Sequence, residues 1–209
     1  MFEEFKKIPR IFREMTITEK IDGTNGQIMI VRNPVGGEQG DHLGIVVLGE
    51  DHYYVWAGSR NRWVYPGKDK DNHGFAAWVH DNAHLLVERL GEGRHFGEWW
   101  GSGIQRGYGL KEKRFSLFNP KWNALLDCQV IPPGLGVVPV LYTGQFDTSK
   151  VVDTLDLLRR EGSRAVPNFL DPEGVVIYHH AANAYFKATI KDDEQPKGRT
   201  QLLQELRSL

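Results

Sequence analysis

The chain has 209 residues, of which 40% are hydrophobic and 25% are charged, and its formal net charge is -1. This composition is typical of a globular protein and excludes a polycation, so nucleic-acid binding would need a local basic face. No apolar stretch is long enough to cross a membrane, and the first residues lack the apolar segment of a secretory signal. The single cysteine, Cys128, excludes an internal disulfide and a cysteine-cluster zinc site. We therefore expect one domain over residues 1–209 in a reducing cytoplasm.

Strand-forming sequences dominate the chain. Seven segments are rich in β-branched and aromatic residues and are bounded by Gly, Pro, Asn or Asp, which predicts strands. Three segments repeat apolar residues at helical spacing, which predicts helices. Antiparallel strands interspersed with a few helices predict an α+β fold. In chain order these are strands 17–31 and 44–58, helix 75–90, strands 96–101, 114–118 and 137–142, helix 148–160, strands 174–179 and 184–190, and helix 199–209.

Five short runs contain the residues that we expect to carry chemistry. The run KIDGTN begins at Lys20, directly after an apolar stretch, and HFGEWWG begins at His95. The runs KRFSLFN, PEGVVI and YFKATIK begin at Lys113, Pro172 and Tyr185. Any one of them alone also fits an ordinary strand or turn. Their lysines and glutamates suit in-line phosphoryl transfer, which needs positioning and charge neutralisation more than acid–base groups.

In this order, the five runs resemble motif I, motif III, the aromatic segment after motif III, motif IV and motif V of the covalent nucleotidyltransferase superfamily. Residues 97–118 are most similar to the ATP-dependent RNA ligases of the branch that seals nicks in duplex RNA. The resemblance extends from residue 15 to residue 195. It implies an ATP-grasp-like nucleotidyltransferase domain of two twisted antiparallel sheets flanked by helices, with the nucleotide between the sheets. Since family members continue after motif V into an OB or helical domain, we expect the catalytic domain alone here.

The resemblance implies catalytic roles for four residues. Lys20 would attack the α-phosphate of ATP and carry AMP as a phosphoramidate, and Lys187 would contact phosphate. Glu173 of motif IV would assist binding of Mg²⁺ or Mn²⁺, ions that prefer hard oxygen ligands. Motif V is commonly Lys-x-Lys, whereas here Thr189 stands at the second position and Lys191 lies one step further along the strand. The source of the second lysine contact therefore stays open.

A nucleotide-binding set also follows from the resemblance. Phe115 would stack on the purine, which Val175 would cover from the opposite side, and Glu98 would contact the ribose. Glu19 would accept a hydrogen bond from the amino group of adenine, which favours ATP over GTP. The expected nucleotide-binding residues are Glu19, Ile21, Asn25, Arg60, Glu98, Phe115 and Val175, and the expected metal ligands are Glu173 and Glu98.

These roles together predict an ATP-dependent ligase, with ATP and Mg²⁺ or Mn²⁺ as cofactors, that joins 5′-phosphate and 3′-hydroxyl ends of a nucleic acid, most consistent with RNA. A partner protein that supplies a second domain is left open. One alternative is a capping-type guanylyltransferase, which Glu19 disfavours. Another is a non-catalytic nucleic-acid end-binding module derived from a ligase, which the intact Lys20 disfavours. The aromatic segment departs from the family pattern at Asn119, where Asp is usual.

Overall fold

The computed structural model of the chain describes residues 2–33 and 41–191 and confirms the α+β fold class. The predicted helix at 199–209 lies outside the described residues. In chain order the strands are β1 (Glu14–Lys20), β2 (Thr24–Arg32), β3 (Gly44–Leu48), β4 (Asp51–Gly58), β5 (Trp63–Val64), β6 (Gly93–Gly101), β7 (Lys113–Leu117), β8 (Leu135–Val137), β9 (Val140–Gln145), β10 (Gly174–His179) and β11 (Ala184–Thr189). The helices are α1 (Phe75–Asp81), α2 (Ala83–Leu90) and α3 (Thr148–Glu161), and a 3₁₀ helix covers Pro120–Asp127.

The chain folds into two compact units. The first unit contains residues 2–21 and 139–191, and the second contains residues 22–138. Each unit has one sheet with one hydrophobic core. Within the described residues, no helix combines the length and the apolar character that crossing a bilayer requires.

The sheet of the first unit has the strand order β11-β10-β1-β9, and every pair in it is antiparallel. Its core contains Met15 and Ile17 of β1, Val175 and Ile177 of β10, and Leu158 of α3. Because side chains alternate along a strand, the odd-numbered residues of β1 and β10 point to the side on which α3 packs. We call this side the helix face, and we call the opposite side, which carries Lys20, the lysine face.

The sheet of the second unit has the order β3-β4-β2-β6-β7-β8, with β5 paired to β4. All of these pairs are antiparallel except β7 with β8, which is parallel. One side of the sheet packs on α1 and α2, and its core includes Ile28, Phe75, Leu86, Trp99 and Phe115. The neighbouring residues along each strand point to the opposite side, which we call the polar face because it carries Asn25, Glu98 and Ser116.

Three predicted elements differ from the observed ones in their boundaries. The predicted strand 17–31 is two strands, β1 and β2, which belong to different sheets and are separated at residues 21–23. The predicted strand 44–58 is a hairpin that turns at Gly49, where φ is 62°. The predicted helix 75–90 is interrupted at Asn82, whose side-chain amide donates to the carbonyl of Trp78. Polar side chains that bond to the backbone in this way compete with regular helix.

Candidate functional site

The most prominent feature of the first unit is a partly buried ion pair between two motif residues. Lys20 ends β1, and Glu173 directly precedes β10, where Gly174 pairs with Lys20 across the two strands. Lys20 Nζ donates to Glu173 Oε2 at 2.7 Å, and the two side chains are 21% and 3% exposed. Residues that are 153 positions apart in the sequence are therefore brought into direct contact.

The glycine after Glu173 has a structural reason. Gly174 has φ 154°, and a Cβ atom placed on it would lie 2.2 Å from the carbonyl oxygen of Ala188 on β11. Only glycine allows this approach of the two strands. The Glu-Gly pair of motif IV thus combines a charged partner for Lys20 with the backbone that places it there.

Sheet register also brings motif V to the lysine face. Residues directly opposite each other in antiparallel strands point to the same side of a sheet. Lys187 is opposite Val176, which is opposite Thr18, and Thr189 is opposite Gly174. The exposed Lys187 and the nucleophile candidate Lys20 therefore project from the same face.

Lys191 has a different environment. It lies beyond the end of β11, and its Nζ donates to Asp171 Oδ1 at 2.7 Å in an ion pair whose side chains are 67% and 50% exposed. The Thr189 hydroxyl donates to the backbone carbonyl of Lys191 at 2.8 Å. Of the two predicted motif V lysines, Lys187 is therefore the one that the strand places on the lysine face.

Val175 requires a correction. It is 0% exposed on the helix face and packs in the core with Leu158 and Ile177, so it has no surface with which to contact a base. The next residue, Val176, is half-buried and points to the lysine face. The alternation of side chains along β10 therefore makes Val176, and not Val175, the apolar residue beside Lys20 and Lys187.

Glu19 also points to the helix face and is only 1% exposed. Its Oε2 accepts hydrogen bonds from the backbone N–H groups of Arg164 and Ala165, at 2.7 and 3.1 Å. No hydrogen bond reaches the buried Oε1 from the described residues. Burial raises the pKa of the Glu19 carboxyl, while the Ser163 hydroxyl and the two N–H groups act in the opposite direction.

In the second unit, the aspartate of the KIDG run is held by the loop after β6. Arg106 Nε donates to Asp22 Oδ2 at 3.0 Å, and the backbone N–H of Asp22 donates to the hydroxyl of Tyr108 at 2.9 Å. A Cβ atom on Gly23 would lie 2.5 Å from the carbonyl oxygen of Trp99, which explains the glycine. The sequence marks Arg106 only as one of several basic residues, and its contact with Asp22 depends on the tertiary fold.

Two of the predicted nucleotide-binding residues lie together on the polar face. Asn25 of β2 is directly opposite Glu98 of β6, which is opposite Ser116 of β7. Asn25 and Glu98 are both half-buried, so part of each side chain is accessible. Arg60 is exposed in the tight turn between β4 and β5, where Ser59 N–H donates to the carbonyl of Arg62 at 2.8 Å.

Phe115 requires a second correction. It is 0% exposed, and its ring lies 5.0 Å from that of Phe75 and 5.8 Å from that of Trp78, measured between centroids. The ring covers Gly97, where a Cβ atom would approach it to 2.7 Å. Phe115 is therefore a core residue. Phe118, whose N–H donates to the carbonyl of Phe96 just after β7, is half-buried and accessible in part.

The remaining sequence expectations have simpler outcomes. Ile21 is 4% exposed and therefore offers almost no surface to a ligand. Asn119, which departs from the family pattern, caps the 3₁₀ helix by accepting a hydrogen bond from the N–H of Lys121 at 3.0 Å. Cys128 is a free thiol of intermediate exposure. Among residues 2–33 and 41–191, no three His, Cys, Asp or Glu side chains come together as a metal-binding group.

Comparison with known proteins gives a family match and structures of similar fold. The family model described as RNA ligase matches residues 13–191, while none of the curated proteins matches the sequence. A Naegleria gruberi RNA ligase mutant with ATP and Mn superposes with a TM-score of 0.54 at 15% identity, over 87% of this chain and 51% of that chain. A mutant of the same ligase with AMP and Mn gives 0.53 at 16% identity, over 86% and 50%. The chain thus spans about half the length of these solved structures, and at such identities the likeness shows the fold.

Proposed function

This chain belongs to the RNA ligase family, and we propose that it is an ATP-dependent ligase that joins a 5′-phosphate and a 3′-hydroxyl end of RNA. The amine of Lys20 attacks the α-phosphorus of ATP, a P–N bond forms and pyrophosphate leaves. AMP then passes from Lys20 to the 5′-phosphate of the RNA. Finally the 3′-hydroxyl oxygen attacks that 5′-phosphate, AMP leaves and a phosphodiester bond forms.

The contact between Lys20 and Glu173 is the observation that carries this proposal. In an ion pair at 2.7 Å the lysine is an ammonium group, which has no free electron pair and cannot attack phosphorus. The pair therefore holds the nucleophile in position before reaction and offers an acceptor at hydrogen-bond distance.

Charge neutralisation is the task that we propose for the other polar residues. Lys187, on the same face as Lys20, would offset the negative charge of the phosphates. Thr189, which lies in the row of Lys20, would complete the polar residues of this face. In the second unit, Asn25 and Arg60 would bind phosphate or the RNA end, and Glu98 the ribose. Lys191 is left without a catalytic task in this scheme because it lies beyond the end of β11, where its Nζ pairs with Asp171.

A divalent cation fits the donor chemistry of Glu173. Mg²⁺ is usually bound by one or two carboxylates together with substrate phosphates, so a single carboxylate without a cluster of acidic residues suffices. Glu173 would supply that carboxylate, and bound Mg²⁺ or Mn²⁺ would neutralise phosphate charge. Glu98, the second metal ligand expected from the sequence, is proposed here for the ribose.

The aromatic segment leads to a prediction that separates two phenylalanines. Phe118→Ala should raise the KM for ATP, since loss of a base-stacking ring costs about 1–3 kcal/mol. Phe115→Ala should instead lower the free energy of unfolding by about 3–5 kcal/mol, as expected for a buried Phe, and leave the KM of the folded fraction unchanged. Urea unfolding and ATP-dependent formation of lysyl-AMP measure the two effects. The reverse pattern, with KM altered only in Phe115→Ala, would return the stacking role to Phe115.

Glu19 gives a prediction about base selectivity. We propose that its buried Oε1 accepts a hydrogen bond from the amino group of adenine when the residues that cover Glu19 move aside. In Glu19→Gln the N–H groups of Arg164 and Ala165 would hold the amide oxygen, which leaves the amide NH₂ in the place of Oε1. That NH₂ cannot accept a hydrogen bond from the adenine amino group, but it can donate one to the guanine carbonyl. The ratio of kcat/KM for ATP to kcat/KM for GTP should therefore fall. An unchanged ratio would remove Glu19 from base recognition.

Stability provides the control for this variant. Folding raises the pKa of the Glu19 carboxyl, so the folded state binds this proton more tightly than the unfolded state does. The protein therefore loses stability as the pH rises from 4.5, the ordinary pKa of the group, through the raised pKa. Glu19→Gln removes the buried charge. The variant should therefore gain stability over the wild type at neutral pH, and that gain should shrink in mild acid. Urea unfolding at both pH values measures this difference.

The substrate is tested by a sealing assay. Nicked duplex RNA, single-stranded RNA, an RNA–DNA hybrid and nicked DNA, each with a 5′-phosphate and a 3′-hydroxyl, are incubated with ATP and Mg²⁺. We expect sealing of RNA ends. Lysyl-AMP formation without sealing of any of these would indicate that a partner protein supplies a further domain, and sealing of DNA alone would contradict the RNA assignment.

We propose a reducing cytoplasm as the compartment.

A further inference from the structure

A pair of tyrosines, the half-buried Tyr178 and the exposed Tyr185, lies on the lysine face beyond the residues assigned above. Tyr178 of β10 is directly opposite Tyr185 of β11, and Tyr178 is opposite Thr16 of β1. The register places this row two residues from Lys187 and four residues from the row of Lys20. At about 3.4 Å per residue, the pair is about 7 Å from the Lys187 row and about 14 Å from the Lys20 row.

The two rings form a supported aromatic surface. Their centroids are 4.6 Å apart with an angle of 37° between the planes, and His180 contacts Tyr178 edge-on at 4.9 Å. The Tyr178 hydroxyl donates to Asn183 Oδ1 at 2.7 Å, while His180 Nε2 lies 2.9 Å from the Thr16 hydroxyl oxygen. Tyr178 is thus held from two sides, and Tyr185 lies against it with 67% of its surface exposed.

We propose that the Tyr178–Tyr185 pair is an RNA-binding subsite that stacks a base of the strand being joined, next to the position where Lys20 and Lys187 act on phosphate. An exposed aromatic ring beside cationic groups is the combination with which proteins bind extended polynucleotides. This inference rests on the proposed function. It adds a contact to the polynucleotide, two residues along the sheet from the row of Lys187 and four residues from the row of Lys20.

A structural role is the competing explanation, because cross-strand aromatic pairs also stabilise hairpins. The chain provides a matched control for it. Phe186 is adjacent to Tyr185 on β11 and is 56% exposed, but it points to the helix face. Loss of either ring removes a comparable amount of exposed aromatic surface from the same strand. Only loss of Tyr185 removes it from the lysine face.

The test compares Tyr185→Thr with Phe186→Thr, since threonine retains a preference for strands without a ring. Binding of a labelled nicked RNA duplex with a 5′-phosphate at the nick is measured in EDTA without ATP, so that no joining occurs. We expect the Kd to rise between about fivefold and a hundredfold in Tyr185→Thr, the range that corresponds to loss of one base stack. Phe186→Thr should stay within about twofold of the wild type, and Tyr185→Phe should bind as the wild type does.

A second arm uses the wild-type protein and RNA with single abasic positions near the nick. One abasic position should weaken binding as much as Tyr185→Thr does, and the variant should lose nothing further with that RNA, because the two changes remove the same contact. Equal affinity of Tyr185→Thr and wild type, an equal loss in Phe186→Thr, or no sensitive abasic position would overturn the inference. Lysyl-AMP formation is measured in parallel: its absence in the wild type contradicts the proposed function, whereas its presence beside unchanged RNA affinity contradicts this subsite alone.

Discussion

Replacement of Lys20 by alanine is expected to abolish the transfer of labelled AMP from ATP to the protein. In the proposed reaction the amine of Lys20 forms the P–N bond, and Lys187 cannot replace it, because Lys187 projects from a different strand, two residues further along the face. Labelled ATP with Mg²⁺ or Mn²⁺ should give an acid-labile adduct on the wild type only. Intact mass after incubation with ATP or GTP gives the same answer and separates a ligase from a guanylyltransferase.

Lys20→Arg is the matched control for this prediction. The guanidinium group remains protonated and does not attack phosphorus, but it can still pair with the buried Glu173 carboxylate. We therefore expect Lys20→Arg to fold with nearly wild-type stability and to form no adduct. Labelling of Lys20→Ala at the wild-type level would show that another residue carries the nucleotide, and the assignment of motif I would then be wrong.

Much of the fold follows from the sequence because its causes are local. β-Branched and aromatic runs bounded by turn residues identify most strands, and the 148–160 prediction agrees closely with α3 (Thr148–Glu161). Other boundaries depend on contacts across the sheet. The break between β1 and β2 is one of these, because Gly23 is required by the nearby backbone of Trp99 rather than by any turn signal.

The site shows the same division between what is local and what is not. Motif spacing identifies Lys20 and Glu173, and the structure places them in contact. The alternation of a strand tells which residues share a face, but it does not tell which face the helices cover. For this reason the sequence selects Phe115 and Val175, which lie on the covered faces, although Phe118 and Val176 in the same runs are more accessible. The hydrophobic character of all four residues offers no means of choosing between them.

The second large effect is expected at Glu173. Glu173→Gln keeps the size of the side chain but removes its negative charge, so it weakens both the acceptor for the Lys20 proton and the carboxylate available to a divalent cation. Loss of one charge-stabilising group at a reacting centre typically slows a step by about two to three orders of magnitude. We expect lysyl-AMP formation in Glu173→Gln, and likewise in Lys187→Ala, to be at least about a hundredfold slower than in the wild type. Single-turnover labelling with saturating ATP and Mg²⁺ measures the rate.

Lys191→Ala provides the control because it removes a lysine of the same motif from a different environment. Its ion pair with Asp171 is exposed, and exposed pairs contribute little to stability, about 0–1 kcal/mol. We therefore expect Lys191→Ala to form lysyl-AMP within a fewfold of the wild-type rate. A loss in Lys191→Ala equal to that in Lys187→Ala would mean that Lys191 leaves Asp171 to act on phosphate, as the usual spacing of motif V suggests. Wild-type rates in both Glu173→Gln and Lys187→Ala would remove these residues from the chemistry, even if Lys20 still carried AMP.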